Sequence, residues 1–207
     1  MPSFNVKLIL SLLLLTASSA SSWAQYTAYK SADGVLVVCD KPGHYFSLLI
    51  PGHSVHLVRR NEVYVLGKPE EVAHPYFMVG SRFVQLMPLP IAEFNGDVAA
   101  NDEAILRQQA QYELNAQHPI LSSIKLIPLP NGRTALFYFF RVRKSGPASE
   151  NQLFVTWRER NYVVLIGSNV PKGDSDTSVQ SFLLRIASSF RGSSRPIPSP
   201  TLPRATD

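Results

Sequence analysis

The sharpest periodicity in the chain lies near its C-terminus. Val179, Phe182, Leu183, Ile186, Ala187 and Phe190 recur at the i, i+3, i+4, i+7 spacing that sets residues on one face of an α-helix. A helix over 175–190 follows, capped by Asp174 or Ser175, whose side-chain oxygens suit the free N–H groups of a helix start. Its polar face carries Arg185, Gln180 and serines, so it docks through its apolar stripe. A second helix is predicted over 102–117. Asn101 or Asp102 serves as its cap, and Asp102 and Glu103 favour the positive end of the helix dipole. Ile105, Gln109, Tyr112 and Ala116 form its stripe, with Leu106 and Ala110 beside it, and His118-Pro119 ends it.

The remaining apolar positions read as strands. Short runs bounded by turn residues fall at 36–39, 45–50, 55–59, 62–66, 76–79 and 82–87. Pro51-Gly52 and Gly80-Ser81 punctuate them, and Pro88-Leu89-Pro90 is expected to end the last. Two hairpins come later. In the first, 124–127 runs through Pro128-Leu129-Pro130 and Asn131-Gly132 into 134–142. Asn-Gly favours a tight type I′ turn, in which both residues take positive φ. Prolines remove ladder donors, so the 124–127 strand is expected at a sheet edge or to pair only in part. Residues 135–140 are apolar at every position, and alternate side chains of a strand point to opposite faces. Both faces of that strand need cover, which predicts a central strand. In the second hairpin, 153–157 and 162–166 flank the polar Arg158-Glu159-Arg160-Asn161. The pattern as a whole predicts an α+β domain: a mostly antiparallel β-sheet built of hairpins, covered by helices on both faces.

The first residues follow another design. Lys7 precedes an apolar stretch over 8–15, broken by Ser11, and small residues follow from Thr16 to Ser22. That is the order of a secretory signal peptide. Cleavage fits after Ala20 or after Ala24, the second leaving Gln25 as the new N-terminus. The apolar stretch is too short to cross ~30 Å of hydrocarbon. No cysteine stands at the cleavage point for a lipid anchor, and no later segment is long and apolar enough for a membrane span. The expected organisation is a signal peptide over 1–24, a single domain over 25–191 and a tail over 192–207. Four prolines crowd that tail and block helix and sheet pairing alike, so it is expected to be disordered. The protein is expected in the periplasm or outside the cell.

Composition narrows the functions. The 207 residues are 45% hydrophobic and 17% charged, which suits a packed core and argues against wholesale disorder. Lys and Arg number 20 against 15 Asp and Glu, a formal net charge of +5, with no dense basic run. Together with export and the lack of an aromatic-basic motif, this argues against nucleic acid as a partner. A single cysteine excludes a disulfide framework. Cys39, in an apolar run, is read as a buried small hydrophobe, with its redox state left open by export.

Three local patterns carry a resemblance. His44-Tyr45-Phe46-Ser47-Leu48-Leu49-Ile50-Pro51 is similar to the opening strand of PsbP-like domains. Asn161-Tyr162-Val163-Val164-Leu165-Ile166-Gly167, followed by Val170-Pro171, is similar to their last strand. Residues 182–191, ending Ser188-Ser189-Phe190-Arg191, resemble their terminal helix. The resemblance covers about residues 30–191 and implies an α/β/α sandwich with an accessory or interaction role. The stretch 55–90 is richer in strand than that family. No functional residue is carried over, because the family has no shared active site.

The residues themselves offer few candidates for chemistry. The histidines are His44, His53, His56, His74 and His118. On a strand His53 and His56 point to opposite faces, but in the turn after Pro51-Gly52 they could meet, with His44 joining them. That arrangement underlies one alternative, an exported hydrolase with a His-containing site. A cavity lined by Phe137, Phe139 and Tyr162 would support another, a carrier of a small apolar ligand. No nucleophile elbow, zinc-protease helix, phosphate loop or dinucleotide fingerprint occurs. Asp174 and Asp176 lack the spaced acceptors of a calcium loop and read as helix caps. No catalytic, cofactor-binding or metal-ligating residue is therefore assigned. Arg59, Arg60, Arg141, Arg143, Lys144, Arg158 and Arg160 stand at strand ends, as a basic patch or a solvated rim. The leading expectation is an exported, non-catalytic accessory or binding protein of the cell envelope. It would meet a protein or envelope component, with loops 67–75 and 144–151 as contact points, and its oligomeric state is open.

Overall fold

The computed structural model describes residues 26–52, 54–58, 64–65, 68–69, 76–117, 121–143 and 149–205. The expected signal peptide, His53, His74, His118, Arg59, Arg60, Lys144 and most of the two expected contact loops (70–75 and 144–148) lie outside the described residues. In chain order the elements are β1 (Tyr26–Ser31), β2 (Gly34–Lys41), β3 (His44–Pro51), β4 (Val55–Val58), β5 (Tyr64–Val65), β6 (Lys68–Pro69), β7 (Tyr76–Val79), β8 (Arg82–Pro90), α1 (Asp102–Gln117), β9 (Leu121–Pro128), β10 (Thr134–Arg143), β11 (Ser149–Glu159), β12 (Tyr162–Asn169), α2 (Asp176–Ser189) and β13 (Arg191–Gly192). A single 3-10 turn, Ile91–Phe94, follows β8. No helix among the described residues is long and apolar enough to cross a membrane.

Every strand pairing among the described residues is antiparallel, as the hairpin pattern predicts, and the fold is α+β. Seven strands form the main sheet in the order β4-β7-β8-β12-β11-β10-β9. Along β12 the side chains alternate between two cores. Val163 and Leu165 join Met87, Leu89, Leu136, Tyr138, Phe140 and Phe154 beneath Ile105, Leu106 and Ala110 of α1. Tyr162, Val164 and Ile166 join Leu86, Val155 and Trp157 beneath Val179, Leu183 and Ile186 of α2.

The second core departs from the expected sandwich. β1, β2 and β3 do not extend the main sheet. They form a separate sheet in the order β1-β2-β3-β13, whose Val37, Phe46, Leu48 and Ile50 enter the core beside α2. Cover on this face is thus shared between one helix and a small sheet. The physical reason is local: consecutive hairpins pair β2 with both β1 and β3, and alternate apolar positions on these strands supply a face that needs a partner. β1 escapes sequence reading because its six residues YTAYKS are half polar.

Two turn expectations are corrected. β8 does not stop at Pro88; it runs to Pro90, with Pro88 opposite Val164 and Pro90 opposite Tyr162. Among the described residues its other neighbour, β7, pairs with Arg82 to Gln85, and both prolines fall beyond that pairing, where a missing N–H costs the described ladder nothing. The Asn131-Gly132 turn is not type I′. Gly132 has φ +79 while Asn131 is not among the positive-φ residues. The ladder ends at Pro128 opposite Thr134, and the loop closes by Gly132 N donating to Leu129 O at 3.0 Å and Leu129 N to Arg133 O at 2.8 Å. A turn finished by a left-handed glycine spans a longer loop than the two-residue hairpin.

The tail is also corrected. Where its prolines predicted disorder over 192–207, residues 192–205 run back along the small sheet. Arg191 and Gly192 pair with Ser47 and Phe46. Lys30 N donates to Pro203 O at 2.8 Å, and Ala205 N to Ala28 O at 2.8 Å. Proline costs a donor only where the partner offers an acceptor, and here the bonds fall on Ser193, Ala205 and the carbonyl of Pro203.

Candidate functional site

Cover over β10 is incomplete. Leu136, Tyr138 and Phe140 are buried beneath α1, but Phe137 and Phe139, on the other face, are half-buried. α2 lies over β11 and β12 and against β3, which leaves the β10–β9 side of that face on its flank. The register sets Lys125 opposite Phe137 and Ile127 opposite Ala135, so β9 continues the same face. Ile127 is half-buried and Lys125 exposed. From the other side α2 presents a half-buried Leu184 and an exposed Arg185. Where α2 faces residues 128–130, an open groove of about 710 Å³ is lined by Leu129, Pro130, Leu184, Arg185 and Ser188 among others. Of its three serines, Ser188 Oγ donates to Leu184 O at 2.7 Å and Ser189 Oγ to Ile186 O at 2.7 Å, while Ser181 is exposed. The strip is therefore apolar in its floor and cationic at its rim. The sequence marked Phe137 and Phe139 as needing cover; it carried no signal that α2 would stop short of them.

Phe137, Phe139 and Tyr162 do not share a cavity. Phe137 and Phe139 pair with Val155 and Leu153, whereas Tyr162 pairs with Glu159 at the far end of β11. Tyr162 instead meets His44, with ring centroids 4.6 Å apart. His44 sits at the start of β3, and its burial, reinforced by Lys41, holds its pKa below the usual histidine value. His56 is exposed on β4, beyond the other end of β3, whose eight residues span about 26 Å. His44 and His56 thus do not converge. Nearby, Cys39 is fully buried and burial pushes its thiol up to about 11, which makes it an unreactive core residue. Among the described residues no group of three His, Cys, Asp or Glu is placed to hold a metal ion.

Two buried polar groups lie on the α1 side of the main sheet. Beneath α1, Gln109 is wholly buried and bonds the Tyr138 hydroxyl at 3.3 Å, and Glu113 one turn on is 5% exposed. Burial pushes the Glu113 carboxyl up to about 7. Further along the sheet, Gln85, Gln152 and Ser168 line a pocket of about 20 Å³ beside Phe83, Phe154 and Gly167, room for one water. Gln152 Oε1 is buried there without a protein partner. Sequence reading placed Gln109 on the inner stripe and missed Glu113, since a carboxylate is ordinarily read as outward-facing.

The scattered arginines act as latches. Arg82 Nε meets Asp174 Oδ2 at 2.7 Å, its Nη2 donates to Ser178 Oγ at 2.8 Å, and its guanidinium lies 4.9 Å from the Phe182 ring centre. Asp174 therefore serves Arg82, and Ser175 is the cap, accepting from Ser178 N. Arg158 donates to Val98 O at 2.7 Å, Ala100 O at 2.9 Å and Asp102 Oδ1 at 3.1 Å, which fixes the approach to α1. Arg141 Nε donates to Asn151 Oδ1 at 3.1 Å, across the β10–β11 ladder. Arg133 Nη2 meets Glu159 Oε2 at 2.8 Å and Arg160 Nη1 donates to Ser193 O at 2.9 Å. Such part-exposed pairs are worth roughly 0–1 kcal/mol each, so their effect is to position loops. They also consume donors that a basic patch would need; Lys125 and Arg185, by contrast, stand in no ion pair among the described residues.

No family model and no curated protein matches the chain. Solved structures do. A crystal structure from Bacteroides thetaiotaomicron shares 13% identity at a TM-score of 0.48 over 82% of this chain, which spans about half (49%) of that one. The solution structure of cyanobacterial PsbP from Synechocystis shares 14% identity at a TM-score of 0.43 over 86% of this chain and 99% of that one. A PsbP structure is thus among the solved structures to which the chain is similar, with no residue's role attached to the likeness.

Proposed function

We propose that this chain is an exported, non-catalytic binding protein of the cell envelope that holds its partner on the strip between α2 and β9. The observation that supports this is the half-burial of Phe137 and Phe139 on a strand whose Leu136, Tyr138 and Phe140, on the opposite face, are buried. Rigid apolar side chains left part-covered on a sheet face are what a recognition surface offers. Covering the rest of both rings contributes about 1–3 kcal/mol, enough to anchor a partner but short of a micromolar complex at about 8 kcal/mol. The rim must therefore add contacts. Export rests on the leader pattern of Lys7, the apolar 8–15 and the small residues before Ala24.

Site-specific photo-crosslinking of the full chain in its own cells tests the proposal. A photoreactive residue at Arg185, beside the groove, is expected to give one discrete adduct that Phe139→Glu removes. The same group at Gln111, on the exposed side of α1, is expected to give none. Equal labelling at both positions, or hydrolytic turnover by the purified protein, contradicts it.

A further inference from the structure

The strip has an open side as well as a floor. β9 is the last strand of the seven-stranded order, and among the described residues it pairs with β10 alone. Its outer edge runs for eight residues and presents the unpaired N–H and C=O groups of an edge strand. Pro128 interrupts that edge at the end nearest the groove. The cations sit on the same side: Lys125 is exposed on β9 opposite Phe137, and Arg185 is exposed on α2 across the strip. β9 itself, LSSIKLIP, contains no acid.

We infer that the strip receives an extended acidic segment of a partner protein, added antiparallel or parallel to β9 as an eighth strand. This rests on the binding function proposed above and names the chemistry of the partner at that surface. An added strand places every second side chain on the strip face. Its apolar side chains would lie on Phe137, Ile127 and Leu184, and carboxylates between them would meet Lys125 and Arg185. A second copy of this chain is the wrong occupant. β9 on β9 brings two Lys125 side chains onto one short edge, and the whole chain carries +5; like charges drawn together across a strand pair are destabilising. Lys125 and Pro128 thus guard the edge against self-pairing while leaving it open to an acidic strand.

A fluorescein-labelled peptide in which Glu and Val alternate at every second position with Ser between them (Glu-Ser-Val-Ser repeated), so that both reach the strip face, and its counterpart with Lys in place of Glu, titrated into the full chain, form the test. The acidic peptide is expected to bind about tenfold more tightly, to weaken as salt is added, and to shift the backbone amide resonances of Ser123, Ile124, Lys125, Leu126 and Ile127. Lys125→Glu with Arg185→Glu, both at exposed positions, is expected to reverse the preference. Equal binding of the two peptides, binding of neither, or shifts confined to other strands would overturn the inference. A discrete adduct at Arg185 in cells with no preference for the acidic peptide would sink the acidic-strand inference alone and leave the binding function standing. Failure of that adduct to form in the otherwise unchanged chain would sink the binding function.

Discussion

Glu113 accepts a hydrogen bond from Gln109 Nε2 at 3.5 Å, one turn back along α1, in a seat that Tyr138 closes from β10. A carboxyl so buried favours its neutral form. Its pKa is raised from 4.5 to about 7 by desolvation, with the Gln109 bond opposing. Because the folded value lies above the unfolded one, the stabilisation is complete below about pH 4.5 and is lost as pH rises to about 7. The loss amounts to about 3 kcal/mol. Glu113→Gln keeps a polar group beside Gln109 and removes the charge. Urea unfolding at pH 8 is expected to show the variant more stable than the parent by about 1–3 kcal/mol, with the gap closing toward pH 4.5. A gap that stays constant with pH would be the contrary result.

His44 slopes the other way. Its folded pKa is lowered by burial and by Lys41, and Nδ1 is buried without a partner. A lowered histidine contributes stability that is full above its unfolded value near 6.5 and falls as pH drops below it. His44→Phe keeps the ring contact with Tyr162 and removes the orphaned nitrogen. Thermal unfolding at pH 5 is expected to gain about 1 kcal/mol relative to the parent, and the acid limb of the stability curve to flatten. An unchanged acid limb would place the protonation elsewhere.

Gly167 lies under the Phe154 ring. A β-carbon there would stand 2.7 Å from Cδ1 and Cε1 of Phe154, and that ring is itself stacked on Tyr138 at 5.0 Å. Gly167→Ala is expected to cost about 1–3 kcal/mol as overpacking, read as a lower urea midpoint. Combined with Phe154→Leu, it is expected to cost less than the sum of the two single changes, since the smaller side chain admits the methyl. Strict additivity would mean that the two positions do not clash.

Glu159 ties three segments together. It pairs with Arg133 at 2.8 Å and lies 3.9 Å from Arg160 Nε, while Arg160 holds Ser193 O. Glu159→Gln is expected to cost about 1–2 kcal/mol, between the values for exposed and buried pairs. The Ser193 amide, which donates to Tyr45 O, is expected to exchange faster with deuterium in this variant. Protection equal to the parent would show that the tail is held without the latch.

Much of this architecture is written in short-range pattern. The stripe of Val179, Phe182, Leu183, Ile186 and Ala187 predicts α2, and those residues are buried. Asn101 and Ser175 cap their helices through Ala104 N and Ser178 N. The prolines around residue 129 predict an edge strand, and β9 is one. These hold because a helix face, a cap or a missing donor is settled within a few residues. The docked tail, the inward Glu113 and the seat of the small sheet on the α2 core escape the same procedure because their partners are distant in sequence, although the small sheet's own hairpins are local. Nothing near residue 30 announces Pro203, and nothing near 113 announces Tyr138.

The candidate surface divides in the same way. Apolarity on both faces of 135–140 determined that each side of β10 must find cover, and the prolines at 128 and 130 pointed to its neighbour as an edge strand. Only the tertiary structure decided that cover on one side would be partial. α2 is held over β11 and β12 by its apolar stripe and against β3 by the Ser189 hydroxyl, which accepts from Leu49 N at 2.8 Å. A helix is about 10 Å wide and adjacent strands about 4.8 Å apart, so a cylinder so placed covers two strands and leaves the third and fourth part-bare. Where it would be placed depends on contacts 140 residues apart, and that separation is beyond the reach of any local pattern.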